Sequence, residues 1–162
     1  MTYKREGGRA VNLNHTTLWA YGGWNGTLNL NTSEFITYEK SETGPELPFA
    51  LAHHCMIKLN NGSIFIIAGG FTNGSISNQV WIVDPLNDFK IVPGHSMKHN
   101  RKHFACAEAI DKNGTVFIIV AGGEGIDEEG STYRRSVEIL NLSSSHGWML
   151  GKLIKYDCIS IN

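Results

Sequence analysis

A short apolar run ending in Gly-Gly occurs three times in this chain: Leu18-Trp-Ala-Tyr-Gly22-Gly23, Ile64-Phe-Ile-Ile-Ala-Gly69-Gly70 and Val116-Phe-Ile-Ile-Val-Ala-Gly122-Gly123. The intervals are 47 and 53 residues. Self-similarity at a period near 50 restricts the fold to stacked supersecondary units, with four short strands per unit as the expected arrangement. The punctuation agrees, since eighteen glycines against four prolines separate short apolar stretches. No stretch between glycines is long enough to carry the i, i+3, i+4, i+7 pattern of an amphipathic helix. The chain reads as all-β.

Units two and three align through most of their length. Each opens with a half-polar strand, 53–59 and 104–110, then turns at Asn61-Gly62 or Asn113-Gly114. Asn-Gly suits the two positive φ values of a type I′ hairpin, so the next strand is expected to run antiparallel beside the first. Those second strands, 63–68 and 115–121, are apolar on both faces, as a strand buried on both sides would be. A third strand follows at 79–84 and 136–141, matched by 33–39 in unit one. A fourth is expected at 88–92, carrying Phe89, and at 148–153, carrying Trp148, with each aromatic placed to cap an outer edge. Unit one has only the Pro/Gly-rich stretch 41–48 there, with room for a stub of strand.

These residues resemble Kelch repeats, blade units marked by a double glycine, an aromatic and acidic third strand and an aromatic fourth. Unit two is the nearest copy, with Gly69-Gly70, Trp81, Asp84 and Phe89. Unit three keeps Gly122-Gly123 and Trp148, and unit one keeps Gly22-Gly23, Tyr38 and Glu39. The units are read as 8–48, 49–96 and 101–153, with 154–162 a tail. The resemblance implies part of a β-propeller. Three blades do not close a ring of five to seven, so the expectation is a fragment of a longer propeller, with a protomer completed by self-association as the alternative. It also implies a non-enzymatic protein–protein interaction module that presents loops 71–78, 94–101 and 124–134 to a partner protein, with no cofactor. The family also contains copper enzymes of the galactose oxidase kind, but no Cys, Tyr and His set here matches theirs.

Fourteen Lys+Arg against fifteen Asp+Glu leave a net charge of -1, which points to neither a nucleic-acid binder nor a docker on anionic membrane. The loop residues most varied in chemistry are His99, Arg101, Asp127, Glu128, Glu129, Arg134 and Arg135, the candidates for partner contact. His95, His99 and His103 recur every four residues, a metal-ligand spacing on a helix. Pro93 and Gly94 argue against a helix here, and no metal is expected. His53 and His54 begin a strand and are expected to pack or hydrogen-bond. Three cysteines cannot form a closed framework. Cys55 and Cys106 lie at nearly equivalent strand positions and read as free buried thiols, a bridge between them in an oxidising compartment being the alternative. Cys158 would stay odd.

Asn14, Asn25, Asn31, Asn61, Asn73, Asn113 and Asn141 all satisfy N-x-[ST], where composition alone gives about two. Secretion with N-glycosylation is one explanation. Turn chemistry is the other, because four of the seven are Asn-Gly-Ser/Thr. The N-terminus lacks the apolar stretch of a signal peptide, and both a cytoplasmic and a secreted location stay open.

Overall fold

The computed structural model describes residues 2–60, 65–127 and 130–151. Among them there is no helix, and 45% strand makes the protein all-β. Sixteen strands follow in order: β1 (Arg9–Asn12), β2 (Leu18–Tyr21), β3 (Ser33–Ile36), β4 (Ser41–Thr43), β5 (Cys55–Lys58), β6 (Phe65–Ala68), β7 (Phe71–Thr72), β8 (Ser75–Ile76), β9 (Val80–Asp84), β10 (Lys90–Pro93), β11 (Ala105–Ile110), β12 (Val116–Ala121), β13 (Glu124–Asp127), β14 (Gly130–Tyr133), β15 (Val137–Asn141) and β16 (Met149–Leu150). Three four-stranded antiparallel sheets result: I (β1-β2-β3-β4), II (β5-β6-β9-β10) and III (β11-β12-β15-β16). Two small hairpins, β7-β8 and β13-β14, complete the fold.

The register explains why the three Gly-Gly sequences recur. Tyr21, Ala68 and Ala121 end the second strand of each sheet, opposite Ser33, Val80 and Val137 of the third. The pair that follows has φ between +61° and +99° at all six glycines, a region closed to most side chains.

Sheet II is apolar on both faces because it has a neighbour on each side. Cys55, Ala68 and Val80 belong to the cluster shared with sheet III, whereas Met56, Trp81 and Val83 belong to the cluster shared with sheet I. One residue of offset switches the neighbour, as the two-residue strand period requires.

Four expectations are corrected. Sheet I has its fourth strand, β4, pairing Phe35 with Glu42. The loops at 71–78 and 124–134 are hairpins, and the type I′ geometry falls at Asn73-Gly74, with φ of 46° and 80°. At Asn113-Gly114 only the glycine has positive φ, because Asp111 Oδ1 accepts the N–H groups of Asn113 and Thr115 and builds a longer loop. Asn61-Gly62 lies outside the described residues. Lastly, Phe89 and Trp148 face inward. Phe89 packs 4.8 Å from Trp19 of sheet I, and Trp148 is 4% exposed within the II–III cluster, its indole N–H donating to His95 O.

Candidate interaction face

Each sheet is preceded by a leading segment that sets its position, and the three segments match residue for residue. Arg5, Leu51 and Arg101 are equivalent, as are Gly7, His53 and His103, and Gly8, His54 and Phe104. In sheet III, Arg101 is fully buried and donates to Glu138 Oε1 at 2.7 Å and to the carbonyls of Gly122 and Ser136. Glu138 also accepts the N–H groups of Lys98 and His99. In sheet I, Arg5 donates to Glu34 at 2.9 Å and to the carbonyls of Gly22 and Thr32, while Glu34 accepts the N–H groups of Thr2 and Tyr3. Burial pushes the Glu34 carboxyl upward. Hydrogen bonds from the Ser41 hydroxyl, Thr2, Arg5 and Tyr3 outweigh it and hold the group at about 2. Glu138 is likewise held below its ordinary range, the pull of Arg101 and the two N–H donors exceeding the push of burial.

Sheet II replaces this device with apolar groups. Leu51 stands for the arginine and Trp81 for the glutamate, with Phe49 stacked on Trp81 at 4.5 Å where His99 meets Glu138 in sheet III. His54 is fully buried beside the Tyr21 ring, and neither ring nitrogen has a hydrogen-bond partner among the described residues. Burial, with Arg9 and His53 nearby, lowers it to about 3, so it is neutral in the folded protein at ordinary pH. His53 and His103, both at positive φ, meet with ring centroids 3.9 Å apart and planes tilted by 33°, and His103 N–H donates to His53 O as His53 N–H donates to Gly7 O.

The loops that follow the second strands lie at one end of the sheets and are tied across unit boundaries. Asn29 Nδ2 donates to Phe71 O at 3.0 Å. Lys102 Nζ lies 5.4 Å over the Phe71 ring and 3.3 Å from Glu124. Asn100 brackets Ile126, donating to its carbonyl and accepting its N–H, and Arg134 clamps Asn100 from the far side with two bonds of 2.8 Å. Carried on this frame, Trp24, Leu28, Ile126 and Tyr133 stay exposed, Tyr133 at 87%.

Of the predicted contact residues, Arg101 is corrected: it is an interior ion-pair partner. Arg134 is half-buried and committed to Asn100. His99 is partly exposed, 3.3 Å from Glu138. Arg135 is exposed, and Asp127 closes β13 opposite Gly130. Glu128 and Glu129 lie outside the described residues. His95, His99 and His103 are dispersed to separate partners, and among the described residues no three His, Cys, Asp or Glu side chains group as a metal site. Cys55 and Cys106 form a disulfide joining β5 to β11, which corrects the free-thiol reading. Cys158 is outside the described residues.

Of the sequon asparagines, Asn14, Asn25, Asn73 and Asn113 are exposed, while Asn31 and Asn141 are half-buried. Asn14, Asn25 and Asn141 turn their Oδ1 onto backbone N–H groups two residues on, as turn chemistry predicts. Asn61 lies outside the described residues. Among the motif residues, Asp84 Oδ1 accepts Leu86 N–H in the turn after β9.

Sequence reasoning missed Arg5, Glu34 and Glu138. The signal was present as Thr32-Ser-Glu34 and Ser136-Val-Glu138, each with an arginine 29 or 37 residues earlier. No protein-family model matches the chain, and no curated protein is significantly similar to it.

Proposed function

We propose that the chain is a run of three Kelch-like units of a β-propeller, and that it binds another protein through the loop end built from residues 24–29, 71–78 and 124–134. The observation that carries this reading is the exposure of Trp24 and Leu28 in unit one and of Ile126 and Tyr133 in unit three, on loops tied to Phe71 of the hairpin between them, by Asn29 on one side and on the other by Lys102, which also meets Glu124. Large aromatic and aliphatic side chains held on a fixed frame lose little conformational freedom when a partner covers them. The turns at the other end also expose Tyr38 and Leu86, but these sit at the tips of short connections.

The test is a photo-crosslinking residue placed at Tyr133 or at Leu86 and irradiated in extract of the source cells. A discrete adduct from position 133 that is absent from position 86 is expected. Adducts from position 86 alone, or none from either, would sink the proposal.

A second reading concerns the compartment and rests on the Cys55–Cys106 disulfide. Such bonds persist in oxidising surroundings, and with four exposed sequons this favours a secreted glycoprotein. Digestion of native protein with an N-glycosidase should lower its mass, and an unchanged mass together with free thiols would remove the reading.

A further inference from the structure

At each junction the earlier sheet offers its front face and the later sheet its back face, and the later sheet's leading segment seats a carbonyl on the earlier sheet's glycine pair. Gly23 N–H donates to Leu51 O at 2.7 Å and Gly70 N–H to Arg101 O at 2.9 Å. Both of those glycine pairs are buried, whereas Gly122 and Gly123 are not, and Gly123 N–H has no backbone acceptor among the described residues. The front face of sheet III is open in the same way. Ala105 and Val137 hold the positions of Cys55 and Val80 in sheet II, which are 8% and 2% exposed. Ala105 is nevertheless exposed and Val137 half-buried. Ile119, in the place of the fully buried Trp19 of sheet I, is also only half-buried.

The opposite end of the chain shows the other half of a junction. On the back of sheet I, Ala10, Leu18 and Ile36 hold the positions of Cys106, Ile118 and Leu140 in sheet III. Sheet III buries Ile118 completely and leaves Leu140 at 6% exposure against sheet II. Leu18 is 39% exposed, Ala10 is exposed and Ile36 half-buried. Arg5 is the equivalent of Leu51 and Arg101, yet its carbonyl accepts no backbone N–H among the described residues. Its side chain anchors on Glu34 as Arg101 anchors on Glu138, so this leading segment is built like the one that docks on sheet II.

We propose that the front of sheet III in one chain receives the back of sheet I of a second copy, with the Arg5 carbonyl of that copy accepting Gly123 N–H. The donor at one end meets the acceptor at the other, and apolar face meets apolar face. The contact between chains then copies the one between sheets II and III. It is head-to-tail, so two copies closing on each other bury both open ends of each. The argument rests on the equivalence of the three sheets and stands apart from the loop-end reading.

The native disulfide supplies the test. It joins Cys55 on a front face to Cys106 on a back face, with Cα atoms 6.2 Å apart. The equivalent positions across the proposed contact are Ala105 of one copy and Ala10 of the other. Chains carrying Ala105→Cys and chains carrying Ala10→Cys, each with Cys158→Ala so that the introduced thiol alone is free, are mixed and treated with oxidised glutathione. A band at twice 17.9 kDa on a non-reducing gel is expected from the mixture and from neither variant alone. Adding Ile119→Asp to the Ala105→Cys chain should abolish the band, with unchanged circular dichroism showing that the chain is folded. A band from Ala105→Cys alone overturns the assignment, because it places two front faces together. No band from the mixture, or one that survives Ile119→Asp, overturns it as well.

Discussion

The two junctions between sheets reach one backbone arrangement by different chemistry. Between sheets I and II the packing is aromatic, with Trp19, Tyr21, Phe35, Phe49, Trp81 and Phe89 in contact, and the leading segment is anchored by Leu51 and Trp81. Between sheets II and III it is mainly aliphatic, with Ile118, Val120 and Leu140. There a disulfide crosses the junction, and the leading segment is anchored by Arg101 on Glu138. Common to both is a glycine pair that admits a carbonyl from the next segment. The backbone contact is thus the constant of the architecture, and the side chains around it are exchangeable in matched sets. A buried ion pair and a well-packed apolar pair of similar volume are often close in stability, whereas half of an ion pair is costly.

The sharpest way to break the comparison is to leave one half. Glu138→Ala strands a buried guanidinium and is expected to cost ~3–5 kcal/mol in denaturant melts. Copying sheet II into sheet III, with His99→Phe, Arg101→Leu and Glu138→Trp together, should recover most of that loss. A triple variant no more stable than Glu138→Ala would show that the two anchors are not interchangeable.

The glycine pair comes next. Gly70→Val and Gly123→Val put a Cβ 2.7 Å from His54 Cβ and from Phe104 Cβ, respectively, and are expected to cost ~2–5 kcal/mol from overpacking and positive φ combined. Gly74 is open to solvent, with nothing within 4 Å, so Gly74→Val should lose only the conformational part, about 1–2 kcal/mol. Equal losses in all three variants would contradict the placement of the pairs at packed corners.

The disulfide separates the junctions covalently and closes a span of 51 residues. Replacing Cys55 and Cys106 by Ala should lower stability by ~2–4 kcal/mol, and limited proteolysis should then open the II–III junction before I–II. Cleavage in the opposite order would mean that the aromatic junction is the weaker one even without the bridge.

The smallest effect is a pH slope. His54 has a folded pKa of about 3, below the ordinary value of 6.5, so the unfolded chain takes up the proton first as pH falls. Stability should decline from about pH 6.5 toward pH 3, by at most ~1.4 kcal/mol per pH unit for this one group. His54→Phe copies Phe104 of the next unit and removes an unpaired buried polar ring, so it should flatten the slope and add about 1 kcal/mol near neutral pH. Glu34 and Glu138 work in the same sense at lower pH. Their contribution is complete above the ordinary carboxylate value and fades as pH falls toward the folded one, about 2 for Glu34. A slope in His54→Phe equal to that of the parent would place the acid sensitivity elsewhere.

Strand order within each sheet was legible because it follows from local signals, namely apolar runs, glycine pairs and turn residues. The hairpins at 71–78 and 124–134 were not, since Gly125, Ser131 and Thr132 carry no alternating apolar pattern. Their pairing is secured by neighbours, with Asn100 and Arg134 fixing one hairpin and Asn29 reaching the other. Arg101 was misread for a related reason. An arginine in a polar segment reads as solvated, and only a carboxylate 37 residues later, brought beside it by sheet formation, makes burial tolerable.

By itself the sequence determined the all-β class, the three-fold repetition and the place of the three Gly-Gly turns, because positive φ and a two-residue side-chain period are properties of the local chain. Only the tertiary structure decided which face of sheet II meets which neighbour, that Cys55 and Cys106 are joined, and that Arg5 and Arg101 are interior. Those outcomes depend on groups tens of residues apart arriving within bonding distance, and desolvation gives each its meaning only once the sheets are in contact.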